Sequence, residues 1–227
     1  MLAALDTSTK YAGVALYDER GPLAELNWLA GSNHTRQLLP NLESLLRAQG
    51  ATVQDLRVVA VALGPGSFNG LRVALSTAKG LCLGLGVPLV TVGTLAATAF
   101  AQRLGGVPIC ATVDAGRGQL YGALFDPRGE TWPATGISGV RPLPELLASL
   151  DGPTIFCGEL GAAGAALVTE SLGRAAAVAG LGAGLRRAAC LAELGWRRWQ
   201  DGEVADPATA QAIYVQRPPL PSPASPA

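Results

Sequence analysis

Histidine is nearly missing from this chain: among its 227 residues, only His34 carries an imidazole. Zinc and iron sites commonly use two or three imidazole ligands, so one subunit cannot supply such a site, and a metalloprotease with an HExxH motif is excluded. The sequence also lacks an uninterrupted run of about 18 apolar residues, the length that a membrane-spanning helix needs. We therefore expect no metal site and no membrane association.

Cysteine is also scarce, and the thiols are widely separated. The four residues are Cys82, Cys110, Cys157 and Cys190, and no two of them have CxxC spacing. The N-terminal MLAALDTSTK contains too short an apolar run for a secretory signal peptide. Because disulfides persist in oxidising compartments, we expect buried, reduced thiols and a cytoplasmic location.

Net charge is absent, since 17 basic side chains balance 17 acidic ones. Binding of nucleic acid through counterion release needs clustered Lys and Arg, so this chain does not hold nucleic acid by a strong overall positive field. Hydrophobic residues make up 49% of the sequence, which excludes a disordered chain. The length allows one large domain or two smaller lobes.

The hydrophobic pattern repeats one order of elements in both halves of the chain. Each half begins with three strands, and helices then alternate with strands, so hairpins and crossovers together give mixed sheets. The sequence predicts an α/β fold of two ribonuclease-H-like lobes facing across a cleft. The predicted units are a first lobe at 1–104, a second lobe at 105–204, a closing segment at 205–217 and a disordered Pro-rich tail at 218–227. The predicted strands cover 2–6, 12–17, 23–28, 58–63, 88–92, 107–113, 120–125, 131–138, 154–156 and 175–179, and the predicted helices cover 34–47, 70–84, 94–103, 143–150, 161–172 and 185–199.

The string LGPGSFNGLR, at 63–72, joins a predicted buried strand to a predicted helix. Glycines such as Gly64 and Gly66 let backbone amides converge, and a helix N-terminus is partially positive, so the loop could bind an anion near Ser67. Arg72 would meet that anion or a partner's carboxylate, or be an ordinary surface arginine. The string lacks the GK[ST] ending of a Walker loop, and a tight structural connection is the other interpretation.

The first predicted helix carries more leucine than one helix face needs. Two interpretations stay open: all of these leucines face the sheet, or a second apolar face packs on a partner subunit. With part of the second helix, this surface is where we expect a paired subunit to dock. His34, at the start of the first helix, is interpreted as a cap or contact residue, with general-base catalysis as the less favoured role. The predicted interface residues are His34, Leu38, Leu42, Leu45, Leu71, Leu75 and Lys79.

Four segments together resemble one known family. They are LGPGSFNGLR, the opening Leu5-Asp6-Thr7-Ser8, the run HTRQLLP from His34, and DAGRGQLY from Asp114. These segments are similar to the TsaB (YeaZ) family, once grouped with Gcp-like proteases, over residues 1 to about 125. Beyond that range the resemblance rests on architecture and on a closing segment at 214–217.

The resemblance implies a bacterial protein of the actin-like (ASKHA) ATPase superfamily that serves threonylcarbamoyladenosine formation in tRNA. In that family TsaB is not the catalyst. It binds and activates its paralogue TsaD, which holds the metal and transfers the threonylcarbamoyl group, while TsaE supplies ATPase activity. TsaB also forms homodimers through the surface that TsaD uses, and it meets tRNA indirectly, through the complex.

The superfamily also implies a nucleotide site, because its members place carboxylates that hold Mg-phosphate where Asp6 and Asp114 end the first strand of each half. Here Thr7-Ser8-Thr9 replaces the Gly-rich turn of active ATPases, and the adenosine motif at 157–161 is faint. We expect no nucleotide bound by the chain alone, although the complex could hold ATP or ADP with Mg. The candidate contacts are Asp6, Thr7, Gly64, Gly66, Ser67, Arg72 and Asp114. The other interpretation is that both Asp side chains hold turns by accepting bonds from backbone amides.

Two hypotheses of function follow. The first is a non-catalytic subunit of the tRNA threonylcarbamoyl transferase, and the alternative is a small-molecule kinase or ATPase of the same fold, with Asp6 and Asp114 positioning Mg-ATP. Two arginine pairs on the predicted last helix, Arg186-Arg187 and Arg197-Arg198, either lie near tRNA or form an ordinary solvated face.

Overall fold

The computed structural model describes residues 1–128 and 138–214 of the chain. In these two ranges, none of the helices has both the length and the apolar character needed to span a membrane. The strands are β1 (Leu2–Asp6), β2 (Tyr11–Asp18), β3 (Gly21–Leu29), β4 (Val58–Ala62), β5 (Leu89–Val92), β6 (Ile109–Gly116), β7 (Gln119–Phe125), β8 (Ser138–Pro142), β9 (Thr154–Gly158) and β10 (Ala176–Val178). The helices are α1 (His34–Ala48), α2 (Phe68–Leu85), α3 (Thr94–Phe100), α4 (Leu143–Ala148), α5 (Gly161–Leu172), α6 (Leu181–Gly184) and α7 (Ala188–Gln200).

The strands form two five-stranded sheets with the same internal order. The first sheet runs β3-β2-β1-β4-β5 and the second runs β10-β9-β6-β7-β8. In each, the first three strands are antiparallel neighbours, and the later strands join in parallel through helical crossovers. The predicted α/β fold with two mixed, ribonuclease-H-like sheets is therefore confirmed.

Alternating burial explains how the layers stack. Side chains of β1 point to opposite faces in turn, so Leu2 and Ala4 join the core between the sheets, while Ala3 and Leu5 pack beneath α1 and α2. The outer face of the second sheet is covered in the same way by α4 and α5. Because β1 and β4 are buried on both faces, they read as continuous apolar runs in the sequence.

The helices between the two sheets do not follow the chain halves. Helix α7, from the second half, packs across the first sheet, and α3, from the first half, packs on the second sheet. A Cβ on Gly195 of α7 would lie 2.6 Å from Ala60 Cβ, so the absence of a side chain lets α7 approach β4 closely. The closing segment also joins the first sheet, since Ala205 N donates to Leu89 O at the edge of β5.

Three predicted segments differ from the structure or fall outside it. The last helix begins at Ala188 rather than at 185, because Leu185 and Arg187 have extended backbones. Helix α3 ends at Phe100, and a short 3-10 turn follows at Arg103–Gly105. The predicted strand at 131–138 lies outside the described residues except for its last position, where β8 begins, and so do 215–217 and the tail at 218–227. The predicted domain limits stay a prediction.

Candidate functional site

Asp6, the candidate ligand of Mg-phosphate, lies at the carboxyl end of β1 and is 3% exposed. Its Oδ1 accepts hydrogen bonds from the backbone N of Ser8 (2.8 Å) and from Ser8 Oγ (2.6 Å). The next residue, Thr7, donates from Oγ1 to Gly70 O (2.6 Å) and accepts from Ala74 N (3.0 Å), both in the first two turns of α2. Asp6 thus holds the turn through Ser8, as the turn-holding interpretation predicts, and Thr7 attaches the turn to α2.

The glycine-rich loop after β4 packs directly on that turn. Ser67 N donates to Ser8 O (2.6 Å), and Ser67 Oγ accepts from Gly70 N (3.4 Å) to cap α2. A Cβ on Gly66 would lie 2.2 Å from Ser8 O, and one on Gly70 would lie 2.0 Å from Thr7 O. Backbone-to-backbone packing therefore accounts for these glycines, which favours the structural connection among the two interpretations of the loop.

Gly64, at the start of the same loop, meets the closing segment instead. Its φ is +118°, and a Cβ there would lie 2.2 Å from Ile213 O. Ile213 N donates to Leu63 O (2.8 Å), so the segment before Tyr214 runs along the loop. A side chain at Gly64 would displace that segment and strain the backbone.

Arg186 completes the surroundings of Asp6, and the sequence did not reveal this. Its Nε donates to Asp6 Oδ2, and its Nη2 donates to Thr9 Oγ1 (3.2 Å) and Tyr11 O (3.4 Å). The side chains of Arg186 and Asp6 are only 5% and 4% exposed. The predicted helix over 185–199 would have put Arg186 on a helix, whereas the extended backbone around it directs the guanidinium into the core.

These contacts decide whether Asp6 fits a Mg-phosphate group. Mg²⁺ needs oxygen ligands in near-octahedral geometry and keeps several of its waters. At Asp6, one carboxylate oxygen is used by Ser8 and the other by a buried cation, Arg186. The residues present do not fit a metal and phosphate at this position, and no reaction step is derived through such a group.

Asp114, the matching carboxylate of the second sheet, is exposed and lines a cavity of about 350 Å³ between the two sheets. Its Oδ1 accepts from Gly116 N (2.7 Å), while its backbone N donates to Glu159 Oε2 (3.3 Å). Lys10 and Phe68 line the cavity from the first sheet's side. Glu159 and Lys10 were not among the predicted site residues, although Glu159 lies in the faint adenosine motif.

The predicted docking residues differ in how much of their side chains is exposed to solvent. Leu38, Leu42 and Leu71 are 1% exposed or less and hold α1 and α2 on the sheet, so their part in docking stays a prediction. His34 is likewise buried, at 7% exposure, and Leu45 is half-buried. Leu39 of α1 is 50% exposed, so the leucines of this helix do not all face the sheet. The helix has five of them: Leu38, Leu39, Leu42, Leu45 and Leu46.

The burial of His34 has an electrostatic consequence. Desolvation lowers the pKa of His34, and the negative charge of Asp6 partly opposes this shift. Nδ1 of His34 is buried and has no hydrogen-bond partner among the described residues.

The remaining α2 residues form a groove with the closing segment. Arg72, Lys79 and the buried Leu75, which is 8% exposed, line a cavity of about 280 Å³ with Tyr214 and its neighbours. The spacing of three and four residues puts these side chains on one face of α2. The ring centroids of Phe68 and Tyr214 are 4.7 Å apart, which holds the described end of the chain beside α2.

Burial also determines the protonation state of the cysteine thiols. Cys82, Cys110 and Cys157 are buried and Cys190 is partly buried, and all four are free. Desolvation raises the pKa of Cys82 and Cys190 to about 11 and that of Cys110 to about 12, so these thiols stay protonated near neutral pH. This agrees with the expected unreactive thiols.

Comparison with known proteins identifies the family. A sequence model described as "TsaD: tRNA N6-adenosine threonylcarbamoyltransferase" matches residues 28–147. The tRNA threonylcarbamoyladenosine biosynthesis protein TsaB of Bacillus subtilis is 32% identical over 161 residues, covering 69% of this chain and 70% of that protein. The chain belongs to the TsaB (YeaZ) family.

Other relatives agree with this assignment. The protein of the same name from Escherichia coli is 33% identical over 126 residues, which is 55% of this chain and only 54% of the relative. The chain thus spans about half the length of that relative. A tRNA N6-adenosine threonylcarbamoyltransferase from Solidesulfovibrio magneticus is 34% identical over 44% of this chain and 31% of that enzyme.

Solved structures give the same fold. YeaZ from Pseudomonas aeruginosa superposes with a TM-score of 0.77 at 26% identity, over 94% of this chain and 98% of that chain. A ROK hexokinase from Thermus thermophilus superposes with a TM-score of 0.50 at 14% identity, over 88% and 99% of the two chains, which indicates a shared fold alone. The chain has the actin-like ASKHA architecture.

Proposed function

We propose that this chain is a non-catalytic accessory subunit in threonylcarbamoyladenosine formation in tRNA. It binds a TsaD-type paralogue and activates that paralogue for threonylcarbamoyl transfer to the adenosine next to the anticodon. TsaE is the further component that supplies ATPase activity, and tRNA is met through the complex. The observation that carries this proposal is the match to relatives named for this biosynthesis, over 69% of the chain in the Bacillus subtilis case.

The surroundings of Asp6 support the non-catalytic part of the proposal. A kinase or ATPase of this fold needs carboxylates free to hold Mg-phosphate. Asp6 is instead bonded to Ser8 and Arg186, and the chain has a single histidine. No observation favours the alternative of a small-molecule kinase, and we propose that nucleotide is not bound at Asp6 by the chain alone.

The groove along α2 is the proposed contact surface for the paralogue. It offers two cations, Arg72 and Lys79, beside Leu75, which lines the groove although its side chain is only 8% exposed. A partner helix or loop with an acidic residue and an apolar anchor would match this pattern. A homodimer would use the same surface and would compete with the paralogue.

The test is a reconstituted modification assay with the organism's own TsaD and TsaE, tRNA, ATP and threonylcarbamoyl-adenylate. We expect product to fall to background when this chain is omitted and to return when it is added. Product formation that is the same with and without the chain would contradict the proposal.

A pair of variants then tests the surface. Lys79→Glu reverses a charge in the groove, whereas Arg174→Glu reverses the charge of an exposed arginine far along the second sheet's side. We expect Lys79→Glu to weaken TsaD binding about tenfold or more, since like charges across an interface are repulsive, and Arg174→Glu to leave it unchanged. Equal binding by both variants would exclude the groove.

A further inference from the structure

Two adjacent arginines of this chain have opposite environments. Arg186 is buried with Asp6, while Arg187 pairs at the surface with Glu25, and its side chain is 52% exposed. Both lie in the short extended segment between α6, which packs on β9 of the second sheet, and α7, which packs on the first sheet. The chain therefore crosses from one sheet to the other at Arg186.

The hydrogen bonds of Arg186 all go to the first sheet. They reach Asp6 at the end of β1, Thr9 in the following turn, and the carbonyl of Tyr11 at the start of β2. The residues before Arg186 contact the region of α3, the second helix between the sheets. Gln102, just after α3, donates from Nε2 to Ala183 O (2.6 Å). The segment between the two sheets is thus held by hydrogen bonds at both ends. Gln102 binds it at Ala183, and Arg186 binds Asp6 at the other end.

The charges at this position are already balanced. The buried pair of one guanidinium and one carboxylate is neutral, and Ser8 occupies the other carboxylate oxygen. A divalent cation entering here would leave an uncompensated buried positive charge unless Arg186 withdrew. A buried ion pair of this kind is costly to break on one side only, because the remaining charge is left without a partner.

We propose that Arg186 is the resident cation of the Asp6 position, and that, in place of a bound metal, it holds its own end of the crossing segment 180–187 against the first sheet, while α6 at the other end packs on β9. Arg186 is a positioning residue. It fixes the path of the chain between the two sheets, and this path forms one wall of the cleft. Leu185, next to Arg186, lines the larger cavity of about 580 Å³ that adjoins the Asp114 side of the cleft. This inference concerns the chain by itself and stands or falls separately from the proposed function.

The first experiment measures backbone hydrogen exchange in the full chain, comparing Arg186→Ala with the matched control Arg187→Ala. We expect amides of 180–187 to exchange about tenfold faster or more in Arg186→Ala, because the segment loses its attachment to Asp6. In Arg187→Ala, which loses only a surface ion pair with Glu25, we expect a clearly smaller increase. Equal exchange in the two variants would overturn the proposal.

The second experiment uses MgCl₂ alone as the probe, with KCl at matched ionic strength as its control. We expect Mg²⁺ to raise the melting temperature of Arg186→Ala, because Asp6 then lacks a cation, and to leave the unaltered chain and Arg187→Ala unchanged. Adding Asp6→Asn to Arg186→Ala should abolish the response. An equal Mg²⁺ response in the unaltered chain, or none in Arg186→Ala, would overturn the proposal.

A double variant covers the case in which Arg186→Ala does not fold. Asp6→Asn with Arg186→Ala removes both charges, so no buried carboxylate is left unpaired. We expect the double variant to fold and to melt at a higher temperature than Arg186→Ala. A double variant as unstable as Arg186→Ala, or more so, would contradict the role of Arg186 as the cation of Asp6.

Discussion

Asp6 and Asp114 occupy the same place in two sheets of the same order, yet their surroundings differ. Asp6 is buried and has hydrogen bonds from Ser8 and Arg186, whereas Asp114 is exposed at the cleft and accepts a hydrogen bond from Gly116 N in its own turn. The difference arises from what lies over each strand end. The segment that carries Arg186 covers Asp6, whereas an open cavity lies over Asp114. A carboxylate at the end of a strand is therefore a structural residue in one sheet and an accessible one in the other.

The largest expected effect comes from removing each carboxylate in turn. Asp6→Ala leaves the Arg186 guanidinium buried without its partner, and we expect it to lower the free energy of unfolding by about 3–5 kcal/mol. Asp114→Ala removes an exposed side chain and should change it by about 0.5 kcal/mol or less. Urea denaturation followed by tryptophan fluorescence measures both. Similar losses in the two variants would remove the distinction between the sheets.

A second comparison concerns two glycines of α2, one packed on the Asp6 turn and one in solvent. Gly70→Ala places a Cβ against Thr7 O, and we expect a loss of about 1–3 kcal/mol from overpacking. Gly80 is exposed, and a Cβ there would meet no atom within 4 Å, so Gly80→Ala should gain about 0.5–1 kcal/mol from better helix propensity. Thermal melts of the two variants test this. A stabilised Gly70→Ala would mean that the loop does not pack tightly on the turn.

The smallest expected effect is the change in the free energy of unfolding with pH that the buried His34 causes. Burial lowers the pKa of His34 from its ordinary 6.5, so below that pH the unfolded chain takes up a proton that the folded chain resists. Stability should therefore fall as the pH drops below 6.5, toward the pKa of the folded state. His34→Gln should flatten this part of the profile, as measured by chemical denaturation at several pH values. Profiles that coincide would show that His34 is not desolvated.

Several local features were predictable from the sequence because they depend on near neighbours in the chain. The runs Leu2–Asp6 and Val58–Ala62 are continuous and apolar, so they indicated strands buried on both faces, and the structure places them at the centre of the first sheet. The spacing of Leu38, Leu42 and Leu46 indicated a helix with a buried face, which α1 has. The sequence did not reveal that these three leucines are buried in the subunit's own core, and the predicted interface there stays a prediction.

The candidate site was harder to predict, because its decisive contact joins residues 180 positions apart. Arg186 follows a Gly-rich stretch and precedes a strong helix pattern, and nothing local distinguishes it from Arg187. The turn chemistry of Asp6 with Ser8 was open to local inference, since the two residues are separated by a single position. The cation that neutralises Asp6 was not.

By itself, the sequence determined most of the element order, although not the short helix α6, together with the repeated sheet plan and the family, since these follow from local periodicity and from contiguous motifs such as LGPGSFNGLR. Only the tertiary structure decided which of the two equivalent carboxylates is exposed to solvent. That outcome depends on which side chain reaches a buried oxygen across the fold, and a buried charge is stable only where an opposite charge or hydrogen-bond donors meet it. Arg186 supplies the opposite charge at Asp6, whereas Asp114 is exposed and is stabilised by solvent.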